Sequence, residues 1–146
     1  MMNPIKILSV EDDEFMRIFL KDIFWLHCRS VGFGNCELEI VDNIKDAEEK
    51  IFNPETKPNL IILDLMLPQN KNGSIDREGG FKLLEKIKSD PKNKDIKVVI
   101  FSAYRDKELQ SRALEMGAEK FLVKGEHLPH DLAKVIYEVL NQKSEA

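Results

Sequence analysis

Leu60-Ile61-Ile62-Leu63-Asp64-Leu65-Met66-Leu67-Pro68 is the stretch that decides the fold. Four consecutive apolar residues bounded by turn signals read as a strand buried on both faces, the kind found inside a parallel sheet. Open sheets of that kind gather ligands at the carboxyl ends of their strands, and Asp64 stands at such an end. A second strand-like run, Ile5-Lys6-Ile7-Leu8-Ser9-Val10, is followed by Glu11 and Asp12. Three carboxylates at one sheet edge repel each other unless a cation sits among them. That pattern points to magnesium and phosphate chemistry.

Outward from this strand, helix-like and strand-like patterns alternate strictly. The first strand covers 5–10. From Glu14 to His27 the apolar residues Phe15, Ile18, Phe19, Ile23 and Leu26 recur at helical spacing. Gly32-Phe33-Gly34-Asn35 is turn material, and Glu37 to Val41 alternates like an edge strand. Asn43 is placed to cap a helix running to about Phe52. The third strand is 59–64. Gly79-Gly80 opens a helix stopped by Asp90-Pro91. A fourth strand follows at 96–101, then a helix over 105–116 closed by Gly117. The fifth strand is 120–123, and 128–142 is a last amphipathic helix. Five strand–helix units predict a doubly wound parallel sheet of flavodoxin-like order 2-1-3-4-5. Trp25 and the phenylalanines at helical spacing are expected in the core.

The bulk numbers agree with one domain. The chain has 146 residues, 42% apolar and 33% charged, with a net charge of −4. A deficit of positive charge argues against non-specific nucleic-acid binding. No apolar run approaches the ~18 residues of a membrane span, and the first residues lack a secretory pattern. A cytoplasmic setting is therefore expected, with Cys28 and Cys36 as free thiols.

In the order 2-1-3-4-5 the first, third, fourth and fifth strands lie side by side, about 4.8 Å apart. Their carboxyl ends offer Glu11 and Asp12, then Asp64, then Ser102, then Lys124. Each residue alone has an ordinary role. Asp12 or Asp13 could cap a helix, Ser102 could belong to a turn, and Lys124 could be a solvated charge. Together they suit phosphoryl transfer, which needs positioning and charge neutralisation. An aspartate can be the nucleophile, giving an acyl phosphate, and Asp64 occupies the middle of the row.

These residues match a family. Ile7-Leu8-Ser9-Val10-Glu11-Asp12-Asp13, Leu63-Asp64-Leu65-Met66-Leu67-Pro68, Val99-Ile100-Phe101-Ser102-Ala103 and Phe121-Leu122-Val123-Lys124 resemble the signature segments of the two-component response-regulator receiver domain. The resemblance covers residues 4–143. It implies that Asp64 takes a phosphoryl group from a sensor histidine kinase or histidine phosphotransfer protein. It implies a magnesium ion held by Glu11, Asp12, Asp64 and the backbone carbonyl of Met66. Ser102 and Lys124 would each engage a phosphoryl oxygen, and Ser102 and Phe121 would form the switch. The function implied is a phosphorylation-controlled signalling switch, not an enzyme in the usual sense, with weak self-phosphorylation and self-dephosphorylation. Too few residues follow the last helix for a DNA-binding unit, so no output domain is expected. Output would pass to a downstream protein target or through a homodimer, without nucleic acid or membrane.

Three departures from the family pattern stand out. Gly125 replaces the proline that usually follows the lysine, so a trans bond with glycine's freedom is expected to place Lys124. The segment Gln69 to Glu78 is longer than the family norm and reads first as a flexible surface loop. The alternative is a partner-specific element beside the phosphorylation site. Phe121 lacks the hydroxyl of the commoner tyrosine. Two rival functions remain. One is an aspartate-nucleophile phosphatase, which wants an Asp-x-Asp motif after the first strand that Glu11-Asp12-Asp13 does not supply. The other is a pseudo-receiver, a protein-binding module that is never phosphorylated. His127, His130 and the two cysteines do not make a zinc set.

Overall fold

Alternation along the buried strands sorts side chains to two faces, and that sorting builds the layers. In the computed structural model, residues 4–27, 36–127 and 129–141 are described. The turn at 32–35, Cys28 and the residues beyond Asn141 lie outside them. The central sheet contains β1 (Ile5–Val10), β2 (Cys36–Val41), β3 (Leu60–Leu63), β6 (Lys97–Ser102) and β7 (Lys120–Val123), all parallel, in the order β2-β1-β3-β6-β7. Counting only these five strands, that is the predicted 2-1-3-4-5.

On one face Leu8, Val10, Ile61, Leu63, Val98 and Ile100 pack under α2 (Ile44–Ile51), α3 (Gly79–Ser89) and α4 (Lys107–Glu115). On the other, Ile7, Leu60, Ile62, Val99, Phe101 and Leu122 pack under α1 (Glu14–His27) and α5 (Pro129–Leu140). β3 is buried at every position, while β2 alternates as an edge strand does. This is a doubly wound, flavodoxin-like architecture.

Two expectations are adjusted. Residues 69–78 lie largely at the surface as a loop should, and they carry regular structure as well. β4 (Leu67–Pro68) and β5 (Ile75–Asp76) pair antiparallel as a short hairpin. Its turn contains Asn72 at φ 62° and then Gly73, where a Cβ would come within 2.9 Å of the Asn70 carbonyl. Asn72 is the third residue of a turn closed by Gly73 N–H donating to Asn70 O at 2.9 Å, a position where asparagine tolerates the left-handed region. Asp76 then ties the base down, accepting from Gln69, Lys82 and the Glu78 N–H.

The second correction concerns α1. Phe15 and Trp25 are each 84% exposed and Ile18 52%. Of the expected stripe the helix buries Ile23 and partly covers Phe19; Leu20 and Phe24 are buried and Met16 partly covered beside them. So many apolar residues crowd this helix that two overlapping stripes satisfy helical spacing. Only packing against α5 and the sheet selects between them.

Candidate functional site

Ladder hydrogen bonds that run one residue past the strands set the site. Asp64 N–H donates to Val10 O at 3.1 Å, Glu11 N–H to Val41 O at 2.9 Å, and Lys124 N–H to Ser102 O at 2.7 Å. The register pairs Val10 with Leu63 and Ser102 with Val123. Glu11 and Asp64 therefore leave the sheet side by side, and Lys124 emerges two strands away.

Lys124 crosses that gap. Its ammonium lies 2.6 Å from Glu11 Oε1 and 2.9 Å from Asp64 Oδ2, and 5.9 Å from the centre of the Phe101 ring. The chain contains no cis peptide among the described residues, and Gly125 sits at φ +85°. Glycine adopts that left-handed conformation freely, so a trans bond delivers the lysine without proline.

Carboxylate oxygens of Glu11, Asp12 and Asp64 all lie within 4.8 Å of one another. Glu11 is 2% exposed and Asp64 8%. Burial, and then the charge of Asp64, push the Glu11 carboxyl up to about 8, although Lys124 pulls the other way. Asp12 is raised for the same two reasons. Burial works against the Lys124 ammonium, but Asp64 and Glu11 outweigh it and hold its pKa above the ordinary value. The pocket thus carries more acid than one lysine neutralises. Hard oxygen donors clustered this closely fit a small divalent cation such as Mg2+.

Asp13 explains why Asp12 is available. The Asp13 carboxylate caps α1, accepting from Phe15 N–H at 2.9 Å and Met16 N–H at 3.4 Å. Asn43 does the same for α2, accepting from Asp46 N–H. Ser102 is fully buried at the end of β6, and its Oγ accepts Tyr104 N–H at 3.1 Å. Met66 N–H reaches Asp64 Oδ1 at 3.3 Å. Phe121 is half-buried against the core that α4 covers. Glu11, Asp12, Asp64 and Lys124 are therefore in one cluster, with Ser102 and Met66 at its border.

Two supporting residues escaped the sequence reading. Arg17 donates to the carbonyls of Glu11 and Asp12, at 3.3 and 2.9 Å, and so fixes the acidic segment from behind. Its place one turn into α1 was the only signal. Gly80 N–H donates to Leu65 O at 2.9 Å, and a Cβ there would meet Asp64 O and Leu65 Cα at 2.5 Å. The Gly79-Gly80 pair marked a helix start but gave no hint of this approach.

A parallel five-stranded sheet ending in an acid cluster bridged by one lysine is the hallmark of one class of signalling module. The family model described as the response regulator receiver domain matches residues 7–136, and the chain belongs to that family. Among curated proteins it is 34% identical over 137 residues to two-component response regulator ORR11 of Oryza sativa subsp. indica, covering 94% of this chain and 82% of that one. It is 32% identical over 145 residues to response regulator protein VraR of Staphylococcus saprophyticus, covering 97% of this chain and 59% of VraR. The chain thus spans about three-fifths of VraR. Among solved structures, a CheY-like receiver domain protein from Methanospirillum hungatei superposes with a TM-score of 0.74 at 28% identity, covering 95% of each chain. The Mn(2+)-bound form of response regulator Rcp1 shares the fold, with a TM-score of 0.75 at 23% identity, covering 98% of this chain and all of that one.

Among the described residues no helix is long and apolar enough to cross a membrane.

Proposed function

We propose that this protein is a phosphorylation-controlled switch of a two-component phosphorelay, with Asp64 as phosphoacceptor. A carboxylate oxygen of Asp64 attacks the phosphorus of a phosphohistidine on a sensor kinase or phosphotransfer protein. The P–N bond breaks, the imidazole leaves, and an acyl phosphate forms. Glu11, Asp12, Asp64 and the Met66 carbonyl would hold Mg2+, which when bound supplies charge neutralisation for the incoming phosphoryl oxygens. Lys124 pairs with one phosphoryl oxygen, and the Ser102 hydroxyl donates to another. Ser102 and Phe121 then carry the change outward to a downstream protein or a second copy of the chain. The acyl phosphate is lost slowly by self-dephosphorylation. Charge-assisted bonds of roughly 1.5–3 kcal/mol each are enough to move a two-state equilibrium by a decade or more.

The carrying observation is the Lys124 ammonium shared between Glu11 and Asp64, with Asp12 in the same cluster. Incubation with acetyl phosphate and Mg2+ should add one phosphoryl group to the wild type by intact mass, and none to Asp64→Asn. Failure of the wild type to gain mass would favour the unphosphorylated, protein-binding alternative.

Cation binding should depend on pH. The Glu11 carboxyl, raised to about 8, keeps its proton through neutral pH when no cation is bound. A cation needs the ionised form and must displace that proton. Apparent Mg2+ affinity should therefore climb from pH 6.5 and level off above pH 8, by up to about tenfold per pH unit for one displaced proton. Calorimetric titration in two buffers of different ionisation enthalpy would show the released proton. A flat profile would contradict the account.

A further inference from the structure

α4 is held more lightly than its neighbour. It buries only Ala113, whereas α3 buries Phe81, Leu83, Leu84 and Ile87 besides its two glycines. The approach to α4 is tied to the acidic rim, because Ser102 Oγ accepts the Tyr104 N–H. A pull on the Ser102 hydroxyl therefore acts on the loop 103–106 that leads into the helix.

Farther along, α4 is tethered in the opposite direction. The Arg112 guanidinium forks onto Glu78, with nitrogen–oxygen distances of 2.9 and 2.5 Å, and lies 3.8 Å above the Phe81 ring. Glu78 is the last residue of the unusually long segment 69–78. That segment leaves the Asp64 strand through buried Leu65 and Leu67. It is anchored on α2, where Lys45 N–H donates to Gln69 O at 2.9 Å, and on α3 through Lys82–Asp76. One end of the insert follows the strand exit that carries Asp64 and the other grips α4.

We propose that the Glu78–Arg112 pair is a latch through which the insert holds α4 in its resting position and opposes its displacement by phosphorylation. The inference rests on the reading of Asp64 as phosphoacceptor. Glu78 and Arg112 side chains are 48% and 45% exposed, so solvent screens the pair. It biases an equilibrium and does not lock it. The planar fork and the stacking on Phe81 give it a fixed geometry that a lysine would not reproduce. Linkage makes the effect reciprocal: if occupancy of the site works against the latch, removing the latch must favour occupancy by the same factor.

Glu78→Gln, Arg112→Gln and the double variant test this in the full chain. Hydrogen exchange of residues 107–115 in the unliganded protein should quicken two- to five-fold in each single variant. The double variant should gain no more than either single one, since both break the same contact. Equilibrium binding of beryllofluoride with Mg2+, a phosphoryl mimic on Asp64, should tighten by a similar factor. Unchanged exchange, additive effects, or faster exchange without tighter beryllofluoride binding would each overturn the latch. Absence of beryllofluoride binding by the wild type would instead overturn the phosphoacceptor reading, and the coupling with it.

Discussion

Replacing Gly80 with alanine is expected to destabilise the domain by about 3 kcal/mol, the upper end of ordinary overpacking, and so to lower its melting temperature by roughly 6–12 °C for a chain of this size. The new methyl group would lie 2.5 Å from Asp64 O and 2.5 Å from Leu65 Cα. Both are backbone atoms, so no side chain can swing away to relieve the overlap. Relief must come from retreat of α3 or of the strand exit that carries Asp64. Retreat of α3 breaks the Gly80 N–H to Leu65 O bond and loosens Phe81 and Leu84 beneath it. Retreat of the strand exit moves Asp64, the proposed phosphoacceptor. Acetyl phosphate labelling should therefore fall even at temperatures where the variant is folded. Gly79→Ala is the comparison, since its nearest contact is a single carbonyl, Leu67 O at 2.9 Å. Thermal unfolding of the two variants side by side decides the matter; a Gly80→Ala melting temperature equal to wild type would refute the close approach.

Lys124→Met should move two measurements in opposite directions. Phosphoryl incorporation from acetyl phosphate should drop by about one to two decades, the equivalent of one charge-assisted contact of roughly 1.5–3 kcal/mol. Affinity for Mg2+ should rise, by about tenfold, because a cation competing for the same carboxylates has been removed. The ammonium now sits 2.6 Å from Glu11 and 2.9 Å from Asp64, so both acids feel its loss directly. Glu11, raised to about 8, already carries its proton at neutral pH without a cation, which limits the cost of removing the ammonium from these two buried acids. Methionine fills a similar length beside Phe101, so packing is largely retained. If Mg2+ affinity and labelling fall together, Lys124 supports the fold and not the transferred group.

Much of this arrangement is legible in the sequence because burial on both faces leaves a continuous apolar signal. β1, β3 and β6 carry it, and the acids that break it at Glu11 and Asp64 mark the strand ends within a residue. β6 also shows the limit of that signal. Ser102 falls inside β6 and not after it, because a buried serine that bonds its own loop extends the ladder without looking apolar. The α1 stripe was misread for a different reason. Phe15, Ile18 and Trp25 satisfy helical spacing as well as Leu20, Ile23 and Phe24 do, and only the neighbouring α5 discriminates. The hairpin of β4 and β5 is too short for periodicity to register, although its Asn72-Gly73 turn was visible. Asp12 and Asp13 could not be told apart as ligand and cap from their order alone. The geometry of the first turn of α1 separates them.

The extra rungs at Glu11, Asp64 and Lys124 have a mechanical consequence. The Asp64 amide bonds from β3 to β1 in the middle of the sheet, so releasing it requires opening that middle, whereas the Glu11 and Lys124 amides tie the edge strands β2 and β7 to it. Asp64 is thus mounted on the central strands, while α4, which buries only Ala113, is the more lightly held neighbour. Work done at an acyl phosphate on Asp64, if the proposed function holds, would deform the yielding side and leave the anvil where it was.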